Sequence, residues 1–476
     1  MCWTLAAAAL LTLLAALVYA FGTVAVRPLD IVEGEILFEA QRLRNHFPLY
    51  VDPALGARDY GAVPSRYHVL YTPLWPFVLA QVPERLAAIG ARLTSGVAWF
   101  GLLGVTVGEA PAHRRKATLF AAAFAGGTFM LARHCATASA DVVAVVLAGA
   151  AVLRSARRGR VDAISGAFFA LGAWTKPNVI GLAAGALLHE MIVGRARSAK
   201  PLGAAVLVSG ALALWTDRLS GGVWLTHLVS STMQPAIFAR GFDQIVPRFP
   251  FLGAPHLFAA YCGFRARSEP RVRFLLAVLF ASLAWTMLAM AKLGSATNYW
   301  LEPSFAAVLL MAHAPIPRMG ATVAPVLRWL AALAALVVLG LNAQACLRAT
   351  REARVRRDAI GRVRARCGAA PSDLVLAEHP GLEMMLDGRV IETPFQMTHL
   401  VRQGRYPIEL WRSDVAAPEI RCFVTENDLL ERPLSEVSVD EDRFGPEMRA
   451  ALIARFELVA RDDVYWVYRA RDAHSP

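Results

Sequence analysis

Asp30, Glu33 and Glu35 cluster in LDIVEGEILFEAQRL, directly after the chain's first membrane-length apolar run at residues 3–22. Carboxylates at the mouth of a membrane span are costly to desolvate, so their presence there points to chemistry. The chemistry open to them is general-base work: taking the proton from a hydroxyl as its oxygen attacks an electrophile. Asp30 is the first candidate base and Glu33 the alternative. All three acids could instead serve the N-terminus of the helix expected over 35–45, and for Glu35 that helix-end role is the better reading.

If the electrophile carries an anionic leaving group, the membrane-embedded part must supply cations. Lys176 stands at one end of an expected helical hairpin in WTKPN (174–178), in an otherwise apolar stretch. Arg92, Arg240 and Arg248 are further phosphate-contact candidates. The alternative for each is a long cation reaching only the lipid headgroups, and Arg133 and Lys292 fit that alternative better. Asn298 and Tyr299, with Trp300, are placed to meet sugar or lipid, although Tyr and Trp gather at membrane interfaces whatever the function. His68, just before YTPLWP (71–76), could position an acceptor or be structural, and Asp141 reads as a helix cap. The cysteines at 2, 135, 262, 346, 367 and 422 form no CxxC and no metal-ligand spacing. They read as small apolar residues, and a Cys367–Cys422 disulfide in the tail stays open, although no spacing supports it. No cofactor is required by these residues; a divalent metal stays open.

The elements that must position these residues are membrane helices. Hydrophobic residues make up 56% of the chain and the mean hydropathy is +0.43, too apolar for a soluble protein of this length. Apolar runs at about 3–22, 91–108, 118–132, 140–154, 162–175, 177–193, 201–216, 249–264, 274–291, 299–313 and 326–345 predict an all-α polytopic membrane protein of about eleven spans. The first run reads as an uncleaved helix, because no basic region precedes it. The net charge of +12 comes largely from basic loops such as HRRK (113–116), RSARRGR (154–160), GRARSAK (194–200) and RARSEPRVR (265–273). Positive-inside bias accounts for them without a nucleic-acid partner and places them in the cytoplasm. The N-terminus is then cytoplasmic. The loop 23–90, the loop 217–248, the turn 292–300 and everything after 346 lie outside, with 71–83 a half-inserted or interfacial helix. Residues 348–366 carry eight arginines beside the last span and predict a basic amphipathic helix on anionic headgroups. From 371 the chain is polar and mixed. DLVLAE, RVIET, IRCFVTE, FELVA and VYWVY read as strands, and PGLEMML, QMTHLVRQG and GPEMRAALIARF as short helices, predicting a small α/β domain. The expected domains are 1–345 and 346–476.

The ordered set of motifs resembles the GT-C glycosyltransferases, multi-span enzymes that take a sugar from a polyprenyl-phosphate carrier and that include protein O-mannosyltransferases and lipid A aminoarabinose transferases. The resemblance rests on DIVEGE, the helix 35–45, PLYVDP (48–53), YTPLWP (71–76), Arg92, TASAD (137–141), WTKPN and GSATNYWLEP (294–303), and covers about residues 1–345. It implies that Asp30 is the first-loop catalytic aspartate and that Lys176 matches a TKP-type motif. Relatives often carry adjacent Asp-Glu, whereas here the acids are spaced i, i+3, i+5, which keeps Glu33 open as the base. The implied partners are a polyprenyl-phosphate-linked sugar, a glycan, lipid or protein acceptor, and membrane lipids. The implied location is the cytoplasmic (inner) membrane with the site facing outward. Two other classes compete. One is a transporter or flippase of a lipid-linked or anionic substrate, which would favour repeated halves and broken helices. The other is an assembly or sensor protein whose tail binds a partner.

Overall fold

The computed structural model describes residues 2–194, 198–232, 236–292, 294–316, 325–426, 428, 430–433, 443–461 and 464–471. The chain forms two compact units. The first comprises Met1–Val24, Ile89–Leu214 and Pro235–Thr350; the second comprises Ala25–Ala88, Trp215–Gln234 and Arg351–Pro476. Residues 25–88 of the loop 23–90 thus group with the tail, whereas the sequence reading placed that loop in the 1–345 domain.

The first unit is helical. Thr4–Gly22, Glu84–Glu109, Ala199–Ser220, Pro270–Met290 and Ala332–Ile360 are long and apolar enough to cross a membrane. A sixth is counted if Phe129–Cys135 and Ala140–Arg158, bent by 96°, form one broken span. Against about eleven expected spans, the other apolar runs are helical but shorter. Ala163–Thr175 and Gly181–Val193 have 13 residues each, which is ~20 Å of helix against a hydrocarbon core of ~30 Å. Val206, Leu207 and Leu214 on the helix Ala199–Ser220 are 69–75% exposed, as residues facing lipid must be. The chain is a multi-pass membrane protein.

Local sequence dictates how these helices turn and pack. Ala140–Arg158 ends at Gly159, whose φ of +67° is the left-handed cap that glycine adopts without strain. Asp162 then caps Ala163–Thr175 by accepting from the Ser165 amide at 2.9 Å, and Arg154 donates to its carboxylate at 2.6–3.0 Å. At Gly185 an added Cβ would stand 2.5 Å from Val278 Cα, so this glycine lets Gly181–Val193 lie directly against Pro270–Met290. The helix Leu301–His313 is buried along almost its whole length, with Phe305 fully enclosed.

The second unit carries a four-stranded sheet of β1 (Leu374–Ala377), β2 (Ile420–Thr425), β3 (Phe456–Arg461) and β4 (Trp466–Ala470), in the order β1-β2-β4-β3. β1 and β2 are parallel and the other pairs antiparallel. Phe423 sits at the centre of the core, its ring 5.5–5.7 Å from those of Phe444, Phe456 and Tyr468. RVIET, expected as a strand, does not join the sheet. The buried Glu383 carboxylate takes the amides of Ile391 and Glu392 at 2.6 and 3.1 Å, leaving a single bridge between Arg66 and Glu392. The helix Ile408–Val415 had no counterpart in the sequence reading.

The basic stretch 348–366 is not a separate surface helix. It continues the last apolar run as one helix, Pro325–Cys367. Its apolar face, Ala359, Ile360, Val363 and Cys367, enters the core of the tail, while Arg364 donates to Asp373 O and Leu386 O and pairs with Asp387. Cys367 is disulfide-bonded to Cys422 in β2, with Cα atoms 6.0 Å apart. The bridge closes a loop of 55 residues, so its loss should cost the folded tail about 4 kcal/mol on chain entropy. The check is thermal unfolding of the full chain with and without reductant, alongside thiol counting by mass. Alkylation of both cysteines in folded, unreduced protein would contradict the pairing.

Candidate active site

The acidic motif is built into the helix Ile31–Arg44, which starts four residues before the expected helix. Asp30 is its N-cap: its Oδ1 accepts from the Glu33 amide at 2.8 Å, and Glu33 Oε2 accepts from the Asp30 amide at 3.2 Å. This reciprocal capping box fixes both carboxylates. Their environments differ sharply. Asp30 is exposed, whereas Glu33 is fully buried with its Oε1 3.3 Å from the Arg27 guanidinium. Glu35 is not a helix-end charge; it is buried in the second turn and accepts from Gln396 Nε2. One turn on, Glu39 is buried, and burial together with the Glu35 carboxylate pushes its pKa well up. The sequence reading did not single out Glu39.

Two glycines set where Asp30 stands. An added Cβ on Gly381 would lie 2.4 Å from the Leu29 and Asp30 carbonyl oxygens, and one on Gly34 would lie 2.3 Å from the Gly381 amide nitrogen. The start of Ile31–Arg44 therefore rests backbone-to-backbone on the start of Pro380–Asp387. Gly381→Ala should displace Asp30 and destabilise this unit by roughly 1–3 kcal/mol through overpacking. Thermal unfolding checks it; an unchanged midpoint would count against this contact.

Behind the helix, Arg42 is fully buried, paired with Asp59 at 2.6 Å and donating to Pro48 O at 2.8 Å, and it braces PLYVDP. Tyr50 of that motif donates to Tyr71 O of YTPLWP at 3.0 Å. Within 71–83 the helix itself is Leu74–Ala80. His68 is buried and stacked on His227, ring centroids 4.3 Å apart. Burial and the His227 ring push the His68 pKa down to about 3. His227 Nδ1 accepts from the Val69 amide at 3.1 Å and is likewise pushed down, chiefly by burial. A histidine with a lowered folded pKa stabilises fully above the unfolded value of ~6.5 and loses that contribution as pH falls toward the folded value. Melting of the full chain should thus shift downward as pH drops from 7 to 4, and less so in His68→Asn. Parallel pH profiles for the two proteins would contradict this.

The helical unit gathers a second set of polar residues. Lys176 ends Ala163–Thr175 ahead of Pro177, and its ammonium, 3% exposed as a residue, is ion-paired with Asp141 in the first turn of Ala140–Arg158. It does not reach out as a headgroup-seeking cation would. Asn298 Nδ2 donates to the same Asp141 oxygen at 2.5 Å. Tyr299 OH accepts from Asn178 Nδ2 at 2.9 Å, and its carbonyl accepts from Thr286 Oγ1 at 3.0 Å. Burial and the nearby Lys176 charge hold Lys292 below its usual range. Glu302, also not foreseen, accepts from the Leu182 amide at 2.8 Å and anchors Gly181–Val193. Asp141 is the residue that sequence reasoning undervalued. Its place in TASAD was noted, but its pairing with a lysine 35 positions away is not visible in spacing.

The remaining candidates are distributed. Arg92 is buried and donates to Val24 O at 2.8 Å, holding the chain just past Cys2–Gly22. Arg248 donates to Gln244 O at 2.7 Å. Arg240 belongs to the helix Phe238–Ile245, and its side chain lies outside the described residues. Among the described residues no group of three or more His, Cys, Asp or Glu could hold a metal ion.

No family model and no curated protein matches this sequence. Solved structures do. ArnT from Cupriavidus metallidurans bound to undecaprenyl phosphate is similar over 96% of this chain and 97% of its own, with a TM-score of 0.58 and 13% identity. ArnT from the same organism in the apo state gives a TM-score of 0.60 at 12% identity over the same shares. This chain shares the fold of these ArnT structures.

Proposed function

We propose that this protein is a membrane glycosyltransferase that moves a sugar from a polyprenyl-phosphate donor to a hydroxyl of a glycan, lipid or protein acceptor. The observation that carries the proposal is the fold likeness over 96% of the chain to a protein bound to undecaprenyl phosphate. In the proposed reaction the acceptor oxygen bonds to the anomeric carbon, the carbon–phosphate oxygen bond breaks, and polyprenyl phosphate leaves. Asp30 takes the acceptor proton. Its exposure supports this role over Glu33, whose two oxygens are engaged by Arg27 and the Asp30 amide. Lys176 meets the charge that grows on the leaving phosphate; Lys176 and Lys292 against Asp141 leave that cluster positive. Arg92, Arg240 and Arg248 are assigned to donor phosphate, and Asn298, Tyr299 and His68 to sugar or acceptor. Asn298 Oδ1 is buried without a hydrogen-bond partner among the described residues, as an acceptor awaiting a sugar hydroxyl would be.

The proposed setting is the cytoplasmic (inner) membrane, crossed about eleven times, with loop 23–90 and the tail outside. The Cys367–Cys422 bridge supports the tail assignment, since disulfides persist in oxidising compartments. Cysteines introduced at Leu55 and Glu409, each 73% exposed, should label from outside intact cells. Labelling of the Glu409 site only after permeabilisation would mean that the tail is cytoplasmic. A transporter is the second reading, favoured by the 96° break between Phe129–Cys135 and Ala140–Arg158 beside a buried ion pair. Purified protein given a panel of radiolabelled polyprenyl-phosphate sugars decides between them. Label in an acceptor supports transfer, and movement of intact lipid-linked sugar across a vesicle bilayer supports transport.

A further inference from the structure

We propose that the cleft at the hairpin of Phe249–Arg265 and Pro270–Met290 is a binding site for an anionic phospholipid of the surrounding bilayer. The cleft is an open one of about 520 Å³, lined by Phe264, Leu276, Ala277 and Phe280 together with Arg267, Ser268 and Arg273 near the interhelical turn. The two rings stand 5.4 Å apart at 52°, and Phe264 and Phe280 are 49% and 42% exposed. An acyl chain lying along these walls would cover apolar surface that the protein itself leaves open.

The polar lining supplies the headgroup chemistry. Arg267 and Arg273 are both exposed, and among the described residues neither has a carboxylate within ion-pair distance, Glu269 of the same turn included. Several basic residues at other loops are satisfied within the protein. Arg154 is paired with Asp162 and Arg157 with Glu109, while Arg114 donates to His313 O and Arg115 to Ala110 O. Two guanidiniums flanking a concavity can hold a phosphate through paired N–H donors, and the Ser268 hydroxyl can add a third contact. Basic pockets between membrane helices are a recurrent way to select anionic headgroups over zwitterionic ones. The ligand class is therefore a phosphodiester lipid with net negative charge, such as phosphatidylglycerol.

The test is native mass spectrometry of the full-length protein in mild detergent, titrated with phosphatidylglycerol and with phosphatidylcholine of the same acyl chains. Wild type should retain phosphatidylglycerol in preference. The double variant Arg267→Gln/Arg273→Gln should lose about 30-fold in its affinity, on two headgroup cations removed. Arg158→Gln/Arg160→Gln takes the same charge from another exposed loop and should leave binding unchanged. Equal losses in both double variants would reduce the effect to diffuse surface charge and overturn the proposal. So would displacement of the lipid by millimolar inorganic phosphate, which would make the cleft a site for the free anion. Phe264→Ala should weaken both lipids, and no change there would remove the acyl-chain part of the assignment.

Discussion

Asp30→Asn should lower the proposed transfer by roughly 10²–10⁴-fold, the usual contribution of a general base, while the protein folds as before. The structure makes this substitution unusually clean. Asn is as good an N-cap as Asp, so the bond from the Glu33 amide survives and the start of Ile31–Arg44 holds. Asp30→Ala removes cap and base together and should cost a further ~1 kcal/mol of stability, so the pair of variants separates the two roles. Glu33→Gln should reduce activity less than Asp30→Asn, because it mainly weakens the contact with Arg27. Glu35→Gln should leave chemistry intact but cost ~1–3 kcal/mol, since it sets an amide against Gln396 in a buried site. Activities compared at equal protein abundance in the membrane check the series. If Glu33→Gln abolishes transfer while Asp30→Asn leaves it near wild type, the two acids exchange roles.

The second large effect belongs to Lys176. Removing it leaves the buried Asp141 carboxylate without its cation, so Lys176→Ala should destabilise the helical unit by about 3–5 kcal/mol as well as impair donor use. Replacing the pair by similar-sized apolar residues, Lys176→Met with Asp141→Leu, should restore much of the stability without restoring transfer. That split between stability and turnover marks a cation that meets the donor rather than one that only holds helices together. Lys292→Ala should do less to stability than Lys176→Ala, because it leaves the Lys176–Asp141 pair in place. A double variant that transfers sugar like wild type would remove Lys176 from the donor site.

Much of this architecture was legible in the sequence, and the misses have physical causes. The apolar runs mark the helices because burial in lipid demands them, and the tail's strands at 374–377, 420–425, 456–461 and 466–470 fall on short runs of apolar, β-branched and aromatic residues. The acids at 30 and 33 already spell a capping box, Asp-x-x-Glu, which would have placed the helix start at Ile31. RVIET was misread because its amides bond to the Glu383 carboxylate instead of a neighbouring strand. The arginine-rich stretch was misread because its buried face, Ala359, Ile360 and Val363, is narrow and hidden among charges. The Asp141–Lys176 and His68–His227 pairs join residues 35 and 159 positions apart, and nothing in local spacing brings them together.

The proposal that a sugar leaves a polyprenyl phosphate for an acceptor is tested most directly by product stoichiometry. Purified wild-type protein is incubated with its donor and acceptor, and free polyprenyl phosphate and glycosylated acceptor are quantified together by mass spectrometry. The account predicts equal amounts of the two products, both falling together in Asp30→Asn. Donor that is consumed or relocated without matching polyprenyl phosphate, or glycosylated acceptor formed equally well by Asp30→Asn, would contradict it.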